Sequence, residues 1–281
     1  MRHRHPRLVP SLAIAAALGG AHLLAAAAFR GRAGALAAGL GAAGLDAPDG
    51  GMAPDPAPPA VVRAFARRAV PPGVVPHAVP RTIRLRQRAE MRANPGDSWR
   101  RHTAEQTIGV REPGFVWFAR VRLAPFLWAR VLDAYAGGEG RIEVRLFDSL
   151  RLARAAGPQV CRGELMRYLA ELAWAPHAML HNPRLRWREI AAATIEASAE
   201  SAGGPARVRL VFEDGDLARI EADDRPRTVG RGTVPTRWRG HFSEYRTLGG
   251  YRIPTRAEME WVLDTGPFVC WRGEVTSYEP R

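Results

Sequence analysis

The sequence predicts a mainly β protein of the α+β kind. Its expected form is a large curved antiparallel sheet or open half-barrel of about ten or eleven strands, with helices covering the concave face. Three observations carry this. Most segments after Arg81 alternate apolar and polar residues with a period of two. Short turns built from glycine, asparagine, aspartate and proline separate them, and short connections make antiparallel neighbours. One strongly helical stretch, GELMRYLAELAWAP (Gly163 to Pro176), interrupts the strands midway and is placed to cover a hollow.

The chain opens with Met1 to Arg7, which holds three arginines, and continues with Leu8 to Phe29, apolar except for Ser11 and His22. This is long enough to cross a bilayer, which needs roughly 20 residues. It reads as an uncleaved anchor in preference to a cleaved signal, although Ala25 to Ala28 offers small residues for cleavage. Either way the remainder lies outside the cytoplasm, at the cell membrane or, after cleavage, secreted or periplasmic. Ala33 to Leu45 is a second apolar run, too short for another span, and reads as a juxtamembrane segment. Asp46 to Pro59 is proline, glycine and aspartate without periodicity. The expected organisation is an anchor or signal segment over 1–30, a small-residue and Pro/Gly-rich linker over 31–59, and one half-barrel-like domain over 60–281.

Ala60 to Val70 predicts a short amphipathic helix carrying Val61, Val62, Phe65 and Ala69 on one face. Strands follow over Arg81 to Arg92, Ser98 to Val110, Phe115 to Leu123, Phe126 to Tyr135 and Ile142 to Leu146. In the central helix Leu165, Tyr168, Leu169 and Leu172 form an apolar stripe, and Pro176 stops it. Leu185 to Ala199 reads as one strand. Val208 to Glu213 and Leu217 to Ala222 form a hairpin about Asp214-Gly215. Arg237 to Leu248, Tyr251 to Leu263 and Phe268 to Tyr278 complete the set, with tight turns at Gly249-Gly250 and Thr265-Gly266-Pro267.

The 281 residues are 46% hydrophobic, enough for a substantial core, and carry a net charge of +13. All of the basic excess is arginine, with no lysine in the chain, so the charge reads as compositional bias spread over solvated strand faces. Nucleic-acid binding is not expected of a domain outside the cytoplasm. Cys161 and Cys270 read as separate small core residues more readily than as a disulfide. No pair has metal-ligand spacing, and His177 with His181 lacks an acidic or cysteine partner, so no metal and no cofactor are expected. No Gly-rich phosphate loop, G-x-S-x-G turn or H-E-x-x-H helix occurs, which weighs against an enzyme without excluding one.

PGFVWFAR (Pro113 to Arg120), the run around Asp133, Tyr135 and Gly137, the central helix, DRPR (Asp224 to Arg227), and Gly249 to Glu258 with the WRGEVTSYE tail together resemble an uncharacterised bacterial family, a domain of unknown function. The likeness spans roughly Pro58 to Tyr278 and implies no reaction. An aspartate usual near Ala191 or Ala192 is missing here, and Cys270 replaces a usual aromatic. The layout also resembles the half-barrels of the lipoprotein carriers LolA and LolB and of the sensor RseB.

The candidate ligand-binding residues follow from the helix and its surroundings. Glu164, Arg167 and Glu171 are three and four apart and suit either an ion-pair ladder or an anionic head group. Tyr168 and Trp174 lie on the same helix. Asp224, Arg225 and Arg227 are expected in a turn after a strand, with one arginine pairing a carboxylate beneath the helix. Trp117, Trp238 and Trp261 stand for the eight tryptophans, which either line an apolar pocket or pack as core. The function expected is a membrane-tethered, extracytoplasmic binding protein holding a lipid, acyl chain or lipoprotein ligand. The alternatives are an enzyme using Glu164, Glu171 or Asp224, and an envelope module with an unidentified protein partner.

Overall fold

The computed structural model describes residues 9–42, 57–71, 79–230 and 232–281. Residues 43–56 of the expected linker, about half of it, and the N-terminal arginines lie outside them. The remainder is one antiparallel sheet of thirteen strands, so the class is as expected and the strand count is higher. The strands are β1 (Thr82–Met91), β2 (Arg100–Gly109), β3 (Phe115–Ala124), β4 (Leu127–Ala136), β5 (Glu139–Leu146), β6 (Leu150–Ala156), β7 (Arg186–Ala191), β8 (Thr194–Ala199), β9 (Ala206–Glu213), β10 (Asp216–Val229), β11 (Gly232–Leu248), β12 (Tyr251–Leu263) and β13 (Gly266–Pro280). They run in the order β6-β5-β4-β3-β2-β1-β13-β12-β11-β10-β9-β8-β7. The sheet thus has two meanders joined where the C-terminal strand pairs with β1, and β6 and β7 are its free edges.

Turn chemistry accounts for the tightest hairpins. Gly137-Gly138, Asp214-Gly215 and Gly249-Gly250 all have positive φ, as two-residue hairpin loops require. Alternation then sorts the side chains. Ile83 and Leu85, with Ile108, Phe115 and Trp117, point to the concave face and are buried, while Arg86, Arg88 and Arg120 face outward.

Four short helical pieces fill the concave side. They are α2 (Ala60–Ala69), α3 (Pro158–Ala170), a 3-10 turn (Glu171–Trp174) and α4 (Pro176–His181). Leu165, Met166, Tyr168, Leu169, Leu172 and Trp174 are all buried in one cluster with the inward residues of both meanders. The central rod therefore lies over the hollow, and it plugs it.

Four details differ from expectation. α3 starts at Pro158, five residues before Gly163, because proline suits the first helical turn. For the same reason Pro176 opens α4 as well as ending the rod. Leu185 to Ala199 is a hairpin, β7 and β8, whose alanine-rich turn has no turn residues to announce it. β6 was not foreseen, since it is an edge strand with both faces exposed and has no reason to alternate.

The N-terminal helix α1 (Val9–Ala42) is continuous, so Ala33 to Leu45 is no separate juxtamembrane piece up to Ala42. Its second half packs on the outer face of the sheet. Ala26, Phe29, Ala33 and Leu40 are buried, against Val116, Leu132 and Ala134 among others. Phe29 meets Phe118 edge-on, with ring centroids 5.5 Å apart. Arg30 and Arg130 close on Asp148 at 2.8 Å and 2.9 Å, and His22 reaches Ser149 at 2.6 Å. The first half of α1 then leaves the body beside the β5–β6 turn.

Close backbone approach fixes where α3 docks. A Cβ on Gly140 would come within 2.7 Å of the Cys161 backbone. Gly140→Ala should therefore shift α3 on β5 and destabilise the chain by about 1–3 kcal/mol, read as a lowered thermal midpoint in detergent. An unchanged midpoint would show that α3 does not need this contact.

Candidate functional site

Under α3 the sheet carries a polar stripe. Cross-strand pairing places Leu85, Gln106, Trp117, Asp133 and Ile142 side by side on β1 to β5. Arg167 comes down onto this row from the helix. Its Nε donates to Glu171 Oε1 at 2.8 Å, and its Nη1 donates to Asp133 Oδ2. The guanidinium lies over the rings of Phe115 and Trp117, 4.7 Å and 5.1 Å from their centroids. Gln106 donates to the second oxygen of Glu171. Gln87 donates to Gln106 at 3.2 Å, and Trp117 Nε1 donates to Gln87 at 2.8 Å. The chain of donors therefore runs from strand to helix without a break.

Glu164 sits one turn before Arg167 on the same face, nearly sealed from solvent at 6% side-chain exposure. Arg225 of β10 approaches it at 3.9 Å, stacks on Trp238 at 4.2 Å and lies 5.5 Å from Trp261. Glu164 Oε2 and Asp133 Oδ1 are both buried without a hydrogen-bond partner. Burial, and then the charge of Asp133, push the Glu164 carboxyl well above the usual range, with Arg225 and Arg167 opposing. Glu164 thus holds its proton more tightly than an ordinary carboxyl does. With Glu164 neutral, the charges of Asp133 and Glu171 match those of Arg167 and Arg225. Burial alone would favour a neutral Arg167, but Glu171 and Asp133 outweigh it and keep it charged.

The structure gathers Glu164, Arg167, Glu171, Trp117, Arg225, Trp238 and Trp261 into this one cluster. It separates the others. Tyr168 donates to Gly109 O at 3.1 Å and accepts from Asn182 at 2.9 Å. Trp174 donates to Pro254 O at 2.9 Å and stacks edge-on with Phe242. Asp224 faces outward and pairs with Arg162 at 2.5 Å. Arg227 lies over the Trp261 ring at 5.9 Å. Asp224 to Arg227 lie within β10, not in a turn, at a register shift between Ala222 and Arg225. Pro226 is tolerated there because β9 pairs with β10 only as far as Glu221. Asp133, Gln106 and Gln87 were missed as cluster members, since nothing local marks a polar residue in a strand as the partner of a helix that follows later in the chain.

Neither Glu164 nor Glu171 opens onto a cavity. The ligand-sized spaces are elsewhere. One, of about 1000 Å³, lies between the inner half of α1 and the rim formed by Pro113, the β4–β5 turn and the β7–β8 hairpin. Leu36, Leu40, Pro113 and Tyr135 give it apolar walls; Arg32, Arg184 and Arg186 stand around it with Glu112 and Glu200, and Arg184 pairs with Glu112 at 3.4 Å and Arg32 with Glu143 at 3.5 Å. Another, of about 1040 Å³, is a groove on the outer face walled by arginine and glutamate, and a further one, of about 440 Å³, lies between α1 and β1–β3. Among the described residues no group of three or more histidine, cysteine or acidic side chains could hold a metal. His177 and His181 stack at 6.0 Å on α4, and His177 meets the Tyr251 hydroxyl at 3.0 Å. Burial first, then His181, lower the His177 pKa to about 4. Both cysteines are free.

A sheet curled about a helical plug, with a buried arginine at the contact, defines a half-barrel of α+β type. The chain belongs to DUF6544, a family of unknown function, whose profile matches residues 55–273. Among solved structures it is similar to a LolA superfamily protein from Nitrosomonas europaea, at 13% identity and a TM-score of 0.41, over 78% of this chain and 92% of that one. It is also similar to a DUF1329 family protein from Desulfovibrio piger, at 11% identity and a TM-score of 0.40, over 78% and 91%. No curated protein matches the chain.

Two substitutions separate the roles in the cluster. Arg167→Met leaves Asp133 and Glu171 buried without their cation and should cost about 3–5 kcal/mol. Glu164→Gln keeps the size of the side chain and removes a carboxyl that binds its proton more tightly in the folded state. That proton makes the parent lose stability as pH rises above the ordinary glutamate value. The Gln variant should therefore gain on the parent at pH 8 and lose that gain toward pH 4.5, in urea midpoints measured at both. A pH-independent difference would contradict the proton assignment.

Proposed function

We propose that the protein is a membrane-tethered, extracytoplasmic binding protein that holds an anionic amphiphile, a lipid or a long acyl chain. The supporting observation is the space of about 1000 Å³ between α1 and the half-barrel rim, apolar along Leu36, Leu40 and Tyr135 and bordered by Arg32, Arg184 and Arg186. Apolar walls take the chain, and the arginines suit a carboxylate or phosphate head group. The concave face is a packed core, so the ligand site moves from the hollow to this rim. Glu164, Arg167, Glu171, Trp117 and Trp238 then serve to seat the rod that shapes the rim.

The tether is the first half of α1. Signal cleavage at Ala25 to Ala28 would cut a helix whose next residues are buried on the sheet, Ala26 at 3% and Phe29 at 0% exposure. An uncleaved anchor keeps that packing. The rim space runs from about 14 to 26 Å along α1 from Leu23, at 1.5 Å per residue between Arg32 and Leu40, so a ligand reaches it only after leaving the bilayer. That separation suits a carrier or presenting protein.

Native mass spectrometry of the full chain, purified in mild detergent, should show bound lipid or fatty acid. Ala35→Trp, which fills the space, and Arg184→Glu, which reverses its charge, should each reduce it at unchanged thermal stability. A chain that carries no amphiphile and does not bind a fluorescent long-chain fatty acid would end this proposal.

A further inference from the structure

The β3–β4 turn breaks a rule of backbone chemistry. Ala124 pairs with Leu127, leaving Pro125 and Phe126 as a two-residue loop. Phe126 has φ +62°, a position that favours glycine or asparagine and that a bulky side chain occupies at a cost. Its ring is 98% exposed, so no packing within the chain offsets that cost. Strain held without an internal contact points to a contact outside.

Its neighbours form a coherent surface. Trp128, next along the hairpin, meets Phe147 of the β5–β6 turn edge-on at 5.5 Å. Leu150 and Leu152 on the free edge strand β6 are 60% and 53% exposed. Arg120 stacks on Trp128 at 4.6 Å, and among the described residues neither Arg120 nor Arg122 pairs with a carboxylate. The first half of α1 leaves the body at this same end, where His22 contacts Ser149, and Leu23 and Leu24 are 66% and 73% exposed there. Residues from Val9 to Leu24 rise about 24 Å, close to the bilayer's hydrocarbon thickness of ~30 Å. A bilayer crossed by that stretch has its surface level with Phe126, Phe147 and Leu150.

We propose that the β3–β4 and β5–β6 tips form a second membrane contact, in which Phe126 and Leu150 insert into an anionic phospholipid surface while Arg120 and Arg122 meet the head groups. This rests on the tether described above. It adds that the half-barrel stands on the bilayer in one orientation. A partner protein would use the same apolar residues, but only a bilayer explains their alignment with the helix exit.

The test uses the full chain with Cys161→Ala and Cys270→Ala, and a single environment-sensitive NBD label at Phe126→Cys, Leu150→Cys or, at the opposite end, Thr247→Cys. Each is reconstituted in phosphatidylcholine vesicles with and without phosphatidylglycerol, and flotation reports the tether. The proposal expects a blue shift at 126 and 150 that strengthens with phosphatidylglycerol, and none at 247. Arg120→Glu with Arg122→Glu should float equally well and weaken tip insertion about fivefold for each arginine removed. Flotation with labels at 126 and 150 still in water overturns the second contact and leaves the tether standing. A shift that ignores phosphatidylglycerol overturns the anionic partner, and failure to float overturns tether and contact together.

Discussion

A thirteen-stranded sheet with short turns has an apolar concave face too large to leave in water. That constraint organises the rest of the molecule. The chain spends α2, α3, the 3-10 turn and α4 on the inside, and the second half of α1 on the outside. Each cover must be held in register with the sheet beneath it, and each is held by an arginine that a carboxylate of a strand or its turn receives. Inside, Arg167 reaches Asp133. Outside, Arg30 joins Arg130 on Asp148, which is 2% exposed. A buried ion pair adds little net stability but is costly to break, so these contacts select one seating of the helix over its neighbours.

The two covers have different consequences. The inner one removes the hollow that the half-barrel outline offers to a ligand, and it turns the tryptophans at 117, 174 and 238 into core. The outer one divides α1 into a part packed on the sheet and a part that, in the proposed reading, sits in lipid. From Leu18 to Leu24 the helix is exposed, and after Ala26 it buries Phe29, Ala33 and Leu40 against the sheet. The same helix face cannot give its apolar side to lipid and to β3 and β4 at once. The boundary between the two halves sets the wall of the rim space and, in the proposed reading, the height of the body above a bilayer.

Much of the fold was legible because its signals are local. Gly137-Gly138, Asp214-Gly215 and Gly249-Gly250 announce their hairpins, and the alternation of Ile83, Leu85 and Phe115 announces their faces. β6 was not legible, since an edge strand exposed on both sides carries no alternation. The β7–β8 turn at Ala192 and Ala193 lacks glycine, asparagine or proline. In the buried cluster the helix residues could be picked out, because Glu164, Arg167 and Glu171 are neighbours on one helix. Their strand partners could not, because Asp133 and Gln106 join Arg167 and Glu171 across 34 and 65 residues of chain. The oddest residue was in plain view. Phe126 follows a proline where a turn asks for glycine, and alternation alone gave no reason to question it.

The division of α1 is the central claim, and thiol accessibility along it in native membranes tests it most directly. Single cysteines placed from Leu18 to Ala38 are probed with a membrane-impermeant maleimide. The account predicts protection at Leu18 and Ala21 by lipid, reaction at Arg30, Gly34 and Ala38 on the outward face, and protection at Ala26, Phe29 and Ala33 by the sheet. Unbroken protection through Ala38 would make the whole helix a membrane span and detach it from the half-barrel. Reaction at Leu18 and Ala21 would remove the bilayer from the description.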